Sequence, residues 1–265
     1  MRVAIAGAAG RMGRALVEGV LRAHDLTLAA ALESPGHPLL GTDAGEPLGA
    51  RCGVTIGADP AAAVAAADCL IDFTRPEATL AHLAACAAAA RPAVIGTTGF
   101  TPAHEDAIAA AARRIPIVLA PNFAVGVNVV FKLAEVAARI LGDGYDVEIV
   151  EAHHRHKVDA PSGTALRLGQ AVAAALGRDL AACAVHGREG ITGERPAGAI
   201  GFHAIRGGDI VGEHTVIFAG EGERVEVTVR SGSRATYAAG ALRAARWVQG
   251  KGAGRYDMFD VLGLR

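Results

Sequence analysis

The sequence predicts an α/β protein, with a doubly wound parallel sheet in its first half and an α+β domain with an open mixed sheet in its second. Three observations carry this. Short apolar runs alternate with alanine-rich stretches of helical length from residue 3 to residue 119. The first apolar run feeds directly into a glycine-rich turn, Gly7-Ala8-Ala9-Gly10-Arg11-Met12-Gly13. Beyond residue 199 the chain changes to alternating apolar and polar residues with no helix between the runs.

Taken in order, residues 3–6 form a buried strand and residues 11–24 a helix that starts at the glycines. Residues 26–32 are a second strand. Residues 61–67 are helical, 69–73 a strand, 77–90 a helix, 93–95 a strand, 102–114 a helix and 115–119 a strand. Apolar strands separated by helices need crossovers, and right-handed crossovers build a doubly wound sheet. After Asn122 the spacing predicts a helix at 128–141, a strand at 146–151 and a helix at 164–176. Strand-like runs follow at 199–206, 214–219 and 224–229, and a last helix at 235–249. An open sheet of this kind buries one face with its own helices and leaves the other in need of a partner, which predicts a homo-oligomer.

Hydrophobic residues at 51% suffice for a sizeable core, and aromatics at 4% leave its packing to alanine and branched aliphatics. A net charge of −1 offers no footprint for nucleic acid or an anionic membrane. Cys52, Cys69, Cys86 and Cys183 form no CxxC pair, which argues against a zinc ribbon or a disulfide framework and for the cytoplasm. The first apolar run is too short for a signal peptide, and no alanine-rich stretch has the roughly 18 uninterrupted apolar residues of a membrane span.

The glycine turn follows a strand and precedes a helix, where glycine allows a tight turn and the helix N-terminus favours a pyrophosphate. Its spacing is GxxGxxG rather than the commoner GxGxxG. Glu33 lies 20 residues beyond Gly13, at the end of the second strand, where a carboxylate can accept from adenosine ribose hydroxyls. Together they predict a Rossmann-type dinucleotide site. Asp72-Phe73-Thr74-Arg75-Pro76, Gly96-Thr97-Thr98-Gly99-Phe100 and Ala120-Pro121-Asn122-Phe123 each follow a strand, so all three reach the same sheet edge as the glycine turn.

The densest chemistry is Glu151-Ala152-His153-His154-Arg155-His156-Lys157-Val158-Asp159-Ala160-Pro161-Ser162-Gly163-Thr164-Ala165. A histidine with a pKa of roughly 6.5 can donate a proton near neutrality, Lys157 offers a positive charge or a second proton source, and Ser162-Gly163-Thr164 opens a helix whose N–H groups suit a carboxylate. Adjacent residues of extended chain face opposite ways, so His153 and His154 have different tasks. A surface histidine cluster beside an ordinary serine cap is the plain alternative. A zinc site on His153, His154 and His156 is a further one, disfavoured because neighbouring strand residues diverge, Lys157 repels a cation and no HExxH is present; no metal is expected.

Residues 148–165 resemble throughout the signature of the 4-hydroxy-tetrahydrodipicolinate reductase (dihydrodipicolinate reductase) family. Residues 6–13, 72–77, 95–100, 122–123 and 208–215 are also similar to family segments, and the likeness runs from Val3 to about Leu262. The resemblance implies an NADH- or NADPH-dependent oxidoreductase of lysine biosynthesis by the diaminopimelate route, reducing a cyclic dicarboxylate to tetrahydrodipicolinate. It implies His153 as proton donor and Lys157 as second catalytic residue, with His154 and the backbone of Gly163 and Thr164 holding substrate carboxylates. Gly7, Ala8, Ala9, Gly10, Arg11, Met12 and Glu33 would line the cofactor. So would Gly96, Thr97, Thr98, Ala120, Pro121, Asn122 and Phe123. It further implies a dinucleotide-binding domain at 1–124 with 235–265, a substrate-binding and tetramerisation domain at 125–234, hinges near 122–127 and 231–235, and a homotetramer. Where some members carry Arg after the ribose-binding acid, this chain has Ser34, so NADH is expected to serve at least as well as NADPH, with Arg11 still able to meet a 2′-phosphate. Another two-domain NAD(P)-dependent amino-acid or oxo-acid dehydrogenase, a non-catalytic NAD(H)-sensing protein and a metal-dependent hydrolase are the competing readings; no basic DNA-binding segment supports the second.

Overall fold

The computed structural model describes all 265 residues. The elements run β1 (Arg2–Ala6), α1 (Arg11–Arg22), β2 (Thr27–Leu32), β3 (Ile56–Gly57), α2 (Pro60–Ala66), β4 (Cys69–Asp72), α3 (Pro76–Ala88), β5 (Ala93–Ile95), α4 (Pro102–Ala112) and β6 (Pro116–Leu119). They continue α5 (Val125–Leu141), β7 (Asp146–His153), α6 (Gly163–Ala175), α7 (Leu180–Cys183), β8 (Ala184–His186), β9 (Ile200–Arg206), β10 (Gly212–Ala219), β11 (Arg224–Ser231), α8 (Ala235–Trp247), β12 (Gly254–Tyr256) and α9 (Met258–Leu262). The chain forms two compact units, Met1–Val125 with Arg234–Arg265, and Gly126–Ser233.

The first unit is a seven-stranded parallel sheet in the order β12-β6-β5-β4-β1-β2-β3. The chain winds outward from β1 through β2 to β3, returns to β4 on the other side of β1, and winds outward again. The switch point therefore lies between the carboxyl ends of β1 and β4, where open α/β sheets hold ligands. Both faces are covered, so the central strands are apolar apart from Arg2 at the start of β1 and Asp72 at the end of β4. Val3 and Ile5 belong to one core cluster with Leu16, Val17, Leu242 and Val248, whereas Ala4 and Ala6 belong to the other with Val64, Leu83 and Ile108. Helix starts are written locally: Asp59 caps α2, Thr101 caps α4, and proline occupies the first turn of α2, α3 and α4.

The second unit is a five-stranded mixed sheet in the order β11-β10-β7-β9-β8. β10 runs antiparallel to β7 and β11, while β9 runs parallel to β7 and β8. Alternation along β7 and β10 sends Val147, Ile149, Val216 and Phe218 into a core with Leu168 and Val172 of α6. At Gly169 a Cβ would lie 2.4 Å from the Phe202 ring, so glycine lets α6 approach β9 closely. The opposite face carries Glu148, His203, Ile205, Thr215 and Thr228; Arg188 and Arg195 bind Glu148 there, and Ile205 is exposed.

Elements that the sequence patterns miss are the short ones: β3, α7, β8, β12 and α9. β12 pairs with β6 through Gly254, Arg255 and Tyr256, which form no apolar run. β7 continues two residues past the expected end at Glu151, so His153 is the last strand residue.

Gly13 is the tightest point of the glycine turn, since a Cβ there would lie 2.0 Å from the Gly7 carbonyl oxygen. Gly13→Ala is expected to cost about 1–3 kcal/mol of unfolding free energy in chemical denaturation. An unchanged midpoint would show that the turn relaxes freely.

Candidate active site

In the first unit, Gly7 adopts φ +69°, a left-handed conformation natural to glycine, which turns the chain from β1 into α1. The N-cap of α1 is Gly10, which offers no side-chain hydrogen bond, so the helix start is left for an outside anion. Ala8 and Ala9 are buried and brace the turn: Ala8 N–H donates to the Leu32 carbonyl at 3.0 Å and Ala9 N–H to Glu33 Oε1 at 3.0 Å. Glu33 Oε2 accepts from Ser34 N–H at 3.1 Å. Each carboxylate oxygen keeps a lone pair for a hydroxyl. A positive-φ glycine, an uncapped helix start and an adjacent carboxylate fit the diphosphate and ribose of a dinucleotide. Arg11 and Ser34 are exposed beside them.

The other loops at this edge interlock. The Phe73 and Phe123 rings meet at 5.4 Å, and a Cβ on Gly96 would lie 2.1 Å from the Phe73 ring. Thr97 is 4% exposed; its hydroxyl accepts from Thr74 N–H at 3.1 Å and from Thr79 at 2.8 Å, above the buried Asp72–His82 pair at 2.7 Å. Thr97, Ala120 and Phe123 thus turn their side chains into the protein, whereas Thr98 and Pro121 are exposed and Gly96 and Asn122 half-exposed. Thr98 and Pro121 line a cavity of about 310 Å³ with Phe100 and Arg255.

In the second unit, the end of β7 and the start of α6 gather the remaining site residues. Glu151 is 1% exposed. Its carboxylate faces His153 Nδ1 at 2.6 Å, accepts Arg206 Nη1 and Nη2 at 2.7 and 2.6 Å, and accepts Ser162 N–H at 3.1 Å. Residues 151 and 153 share a strand face, and Arg206 is the register partner of His153 on β9, so the sheet itself brings the three together. Ser162 caps α6, its Oγ accepting from Ala165 N–H at 3.1 Å, and also meets His214 Nε2 at 2.9 Å. His214 lies edge-on to His153, with ring centroids 5.1 Å apart.

Past the strand end, Lys157 Nζ donates to Asp159 Oδ1 at 2.8 Å. The His154 and His156 rings are 6.2 Å apart, and His154 Nδ1 is buried without a hydrogen-bond partner. Gly163, the first residue of α6, is exposed. No group of three His, Cys, Asp or Glu side chains is placed to hold a metal ion.

The electrostatics follow from burial and partners. Burial works against charge on Glu151, but the hydrogen bonds from Arg206 and His153 outweigh it and hold its pKa below the usual carboxylate range. Burial also lowers the pKa of His153, with Glu151 opposing it and Lys157 and Arg206 adding to the fall. Sequence reasoning missed Arg206, His214 and the anchoring role of Glu151. Alternation along β7 places Glu151 beside His153, but Arg206 and His214 come from distant strands with no local signal.

His214, 4% exposed, has its pKa pushed down to about 4, by burial first and then by the neighbouring His153. Its unfolded value is roughly 6.5, so the unfolded chain takes up this proton first as pH falls. The stabilisation is complete above about pH 6.5 and is lost on descent to about pH 4, a difference on the order of 3 kcal/mol. Denaturant titrations of the wild type and His214→Gln should diverge across this window, with the wild type falling more steeply; parallel curves would contradict the assignment.

Two family models cover nearly the whole chain: dihydrodipicolinate reductase, N-terminus, over residues 1–123, and dihydrodipicolinate reductase, C-terminus, over residues 126–262. The 4-hydroxy-tetrahydrodipicolinate reductase of Aromatoleum aromaticum is 64% identical over 265 residues, covering 100% of this chain and 96% of that protein. The protein of the same name from Thiobacillus denitrificans is also 64% identical, covering 100% of this chain and 99% of its own. Among solved structures, a dipicolinate-bound dihydrodipicolinate reductase from a Paenisporosarcina species superposes with a TM-score of 0.78 at 26% identity, covering 98% of each chain. A protein of gentamicin A biosynthesis solved in complex with NAD shares the fold alone, with a TM-score of 0.60 at 16% identity over 100% of this chain and 90% of that one. The chain belongs to the dihydrodipicolinate reductase family of NAD(P)H-dependent oxidoreductases.

Proposed function

We propose that this chain carries out its family's reduction, of a cyclic 4-hydroxy-tetrahydrodipicolinate-type substrate to tetrahydrodipicolinate in lysine biosynthesis, with the residues of the β7–α6 segment handling the substrate. The observation that carries the reading is the buried Glu151 carboxylate 2.6 Å from His153 Nδ1, at the head of a segment that also holds His154, Lys157 and an exposed helix start. Bound NAD(P)H supplies the hydride. Everything else is assigned to this chain's side chains and N–H groups.

Glu151 on Nδ1 turns His153 so that Nε2 is the atom that holds and releases a proton. In the free protein burial keeps the ring largely neutral, and an incoming dianion would raise its pKa, so proton uptake accompanies substrate binding. Lys157 is a positive charge that exchanges Asp159 for a substrate carboxylate or the reacting centre. One carboxylate would meet the first-turn N–H groups at Gly163 and Thr164, which the helix dipole favours, and His154 the other. The orphaned His154 Nδ1 supports a ligand-dependent role for that ring. The dinucleotide is assigned to Gly7, Gly10, Arg11, Met12, Glu33, Gly96, Thr98, Pro121 and Asn122, with the backbone alone of Ala8, Ala9, Thr97, Ala120 and Phe123. Residues 1–124 with 235–265 would be the dinucleotide domain and 125–234 the substrate and assembly domain.

The sheet face of the second unit that leaves Ile205 52% exposed supports a homotetramer of this chain. Four free cysteines, two of them buried, support a cytoplasmic setting. No helix is long and apolar enough to cross a membrane.

His153→Gln should lower kcat at least about 100-fold with little change in KM, and Lys157→Ala should lower kcat while raising KM. Oxidation of NADH or NADPH coupled to the synthase that forms the unstable substrate reads both, and wild-type turnover in either variant contradicts the role assigned. Glu33 would repel a 2′-phosphate, so kcat/KM with NADH should equal or exceed that with NADPH; a strong NADPH preference overturns this. Sedimentation should give four copies of the 26.9 kDa chain, and a monomer would sink the assembly reading.

A further inference from the structure

Arg206 ends β9 and is exposed over 21% of its side chain. It contributes no conventional substrate motif, yet its guanidinium reaches both halves of the proton-handling segment. Nη1 and Nη2 form a paired contact with Glu151 at 2.7 and 2.6 Å, and Nη2 also donates to the Asp159 carbonyl at 2.8 Å. Through Glu151 it reaches His153 Nδ1; through the Asp159 backbone it reaches the loop whose Asp159 side chain holds Lys157 at 2.8 Å. The turn after Arg206 adds two backbone braces, Gly207 N–H to the His153 carbonyl at 3.0 Å and Arg155 N–H to the Gly208 carbonyl at 3.2 Å.

We infer that Arg206 and Glu151 are positioning residues for the reaction: together they select the tautomer of His153 and fix the loop that carries Lys157. The inference rests on the reading above that His153 gives the proton. A buried carboxylate facing Nδ1 favours the ring protonated at that nitrogen, which leaves Nε2 for the proton in transit. Glu151 alone would be free to rotate or to take the proton itself. The planar fork of Arg206 removes both freedoms, because two parallel donors fix the carboxylate plane and a permanent cation keeps it ionised. Lysine could supply the charge and three donors, but from a single nitrogen, and so not the two parallel, coplanar donors that meet both carboxylate oxygens. The groups facing His153 are Glu151 of its own strand, Arg206 of β9, His214 of β10 and Lys157 of the following loop. Of these, Glu151 alone favours the protonated ring.

The test uses the intact protein with two variants and a readout that needs no turnover. Ring ¹⁵N NMR of the wild type should show neutral His153 protonated at Nδ1. Glu151→Gln should convert it to the Nε2-protonated form, move the alkaline limb of kcat/KM to lower pH and cut kcat about 10³-fold. Arg206→Lys, which keeps the charge, should retain the wild-type thermal midpoint, mix the two tautomers and lower kcat about 10–100-fold with little change in KM. Wild-type tautomer and pH profile in both variants would overturn the inference. If Glu151→Gln does not fold, Arg206→Lys decides alone. His153→Gln separates the two claims: full turnover there defeats the proton-donor reading, whereas the ring tautomer still decides whether Arg206 and Glu151 position the imidazole.

Discussion

A single buried carboxylate organises the second unit's chemistry. Glu151 is 1% exposed, and an uncompensated charge in such a place would be costly. It is compensated by donors from separate parts of the chain: the fork of Arg206 from β9, the Ser162 N–H at the start of α6, and His153 two residues along β7. That one requirement ties a strand, a neighbouring strand and a helix N-terminus into one frame. Through it the ring of His153 and the helix start are held relative to each other. His214 closes the frame from β10, touching Ser162 and the His153 ring while remaining uncharged over the physiological range.

The first unit solves a different problem by different means. Its sheet edge is built from small residues and left-handed turns, over the buried Asp72 carboxylate and its His82 partner. Gly7 and Gly13 let the first turn fold tightly onto itself, and Gly96 admits the Phe73 ring. Beneath that edge Asp72, His82, Thr74, Thr79 and Thr97 form a hydrogen-bonded knot that fixes the loops after β4 and β5. α8 contributes from the far end of the chain. At Gly240 a Cβ would lie 1.7 Å from the Phe123 carbonyl oxygen, so the helix sits directly against the loop after β6.

What the residue pattern reveals depends on the range of the interaction. The parallel sheet was legible because each βαβ step is local: an apolar run, a proline or capping residue, an alanine-rich helix. β12 and β8 were not, since each owes its existence to a neighbour's edge rather than to its own composition. The same division holds within the site. His153, His154, Lys157 and the α6 start lie within twelve residues and were visible as a cluster. Thr97 carried the right residue type for a ligand loop, but its hydroxyl satisfies Thr74 and Thr79 instead, a tertiary outcome that Gly-Thr-Thr-Gly cannot announce. Arg206 and His214 lie some fifty residues further along the chain than the groups they hold, as the separations of 55 and 52 in their hydrogen bonds record.

The central claim is that the β7–α6 segment receives a dianion and that His153 answers by taking up a proton. Histidine ring titration by NMR, with and without dipicolinate in the presence of NADH, tests it most directly. Binding should raise the pKa of His153 and perturb the His154 ring. A His153 titration curve that does not move when dipicolinate binds would contradict the account.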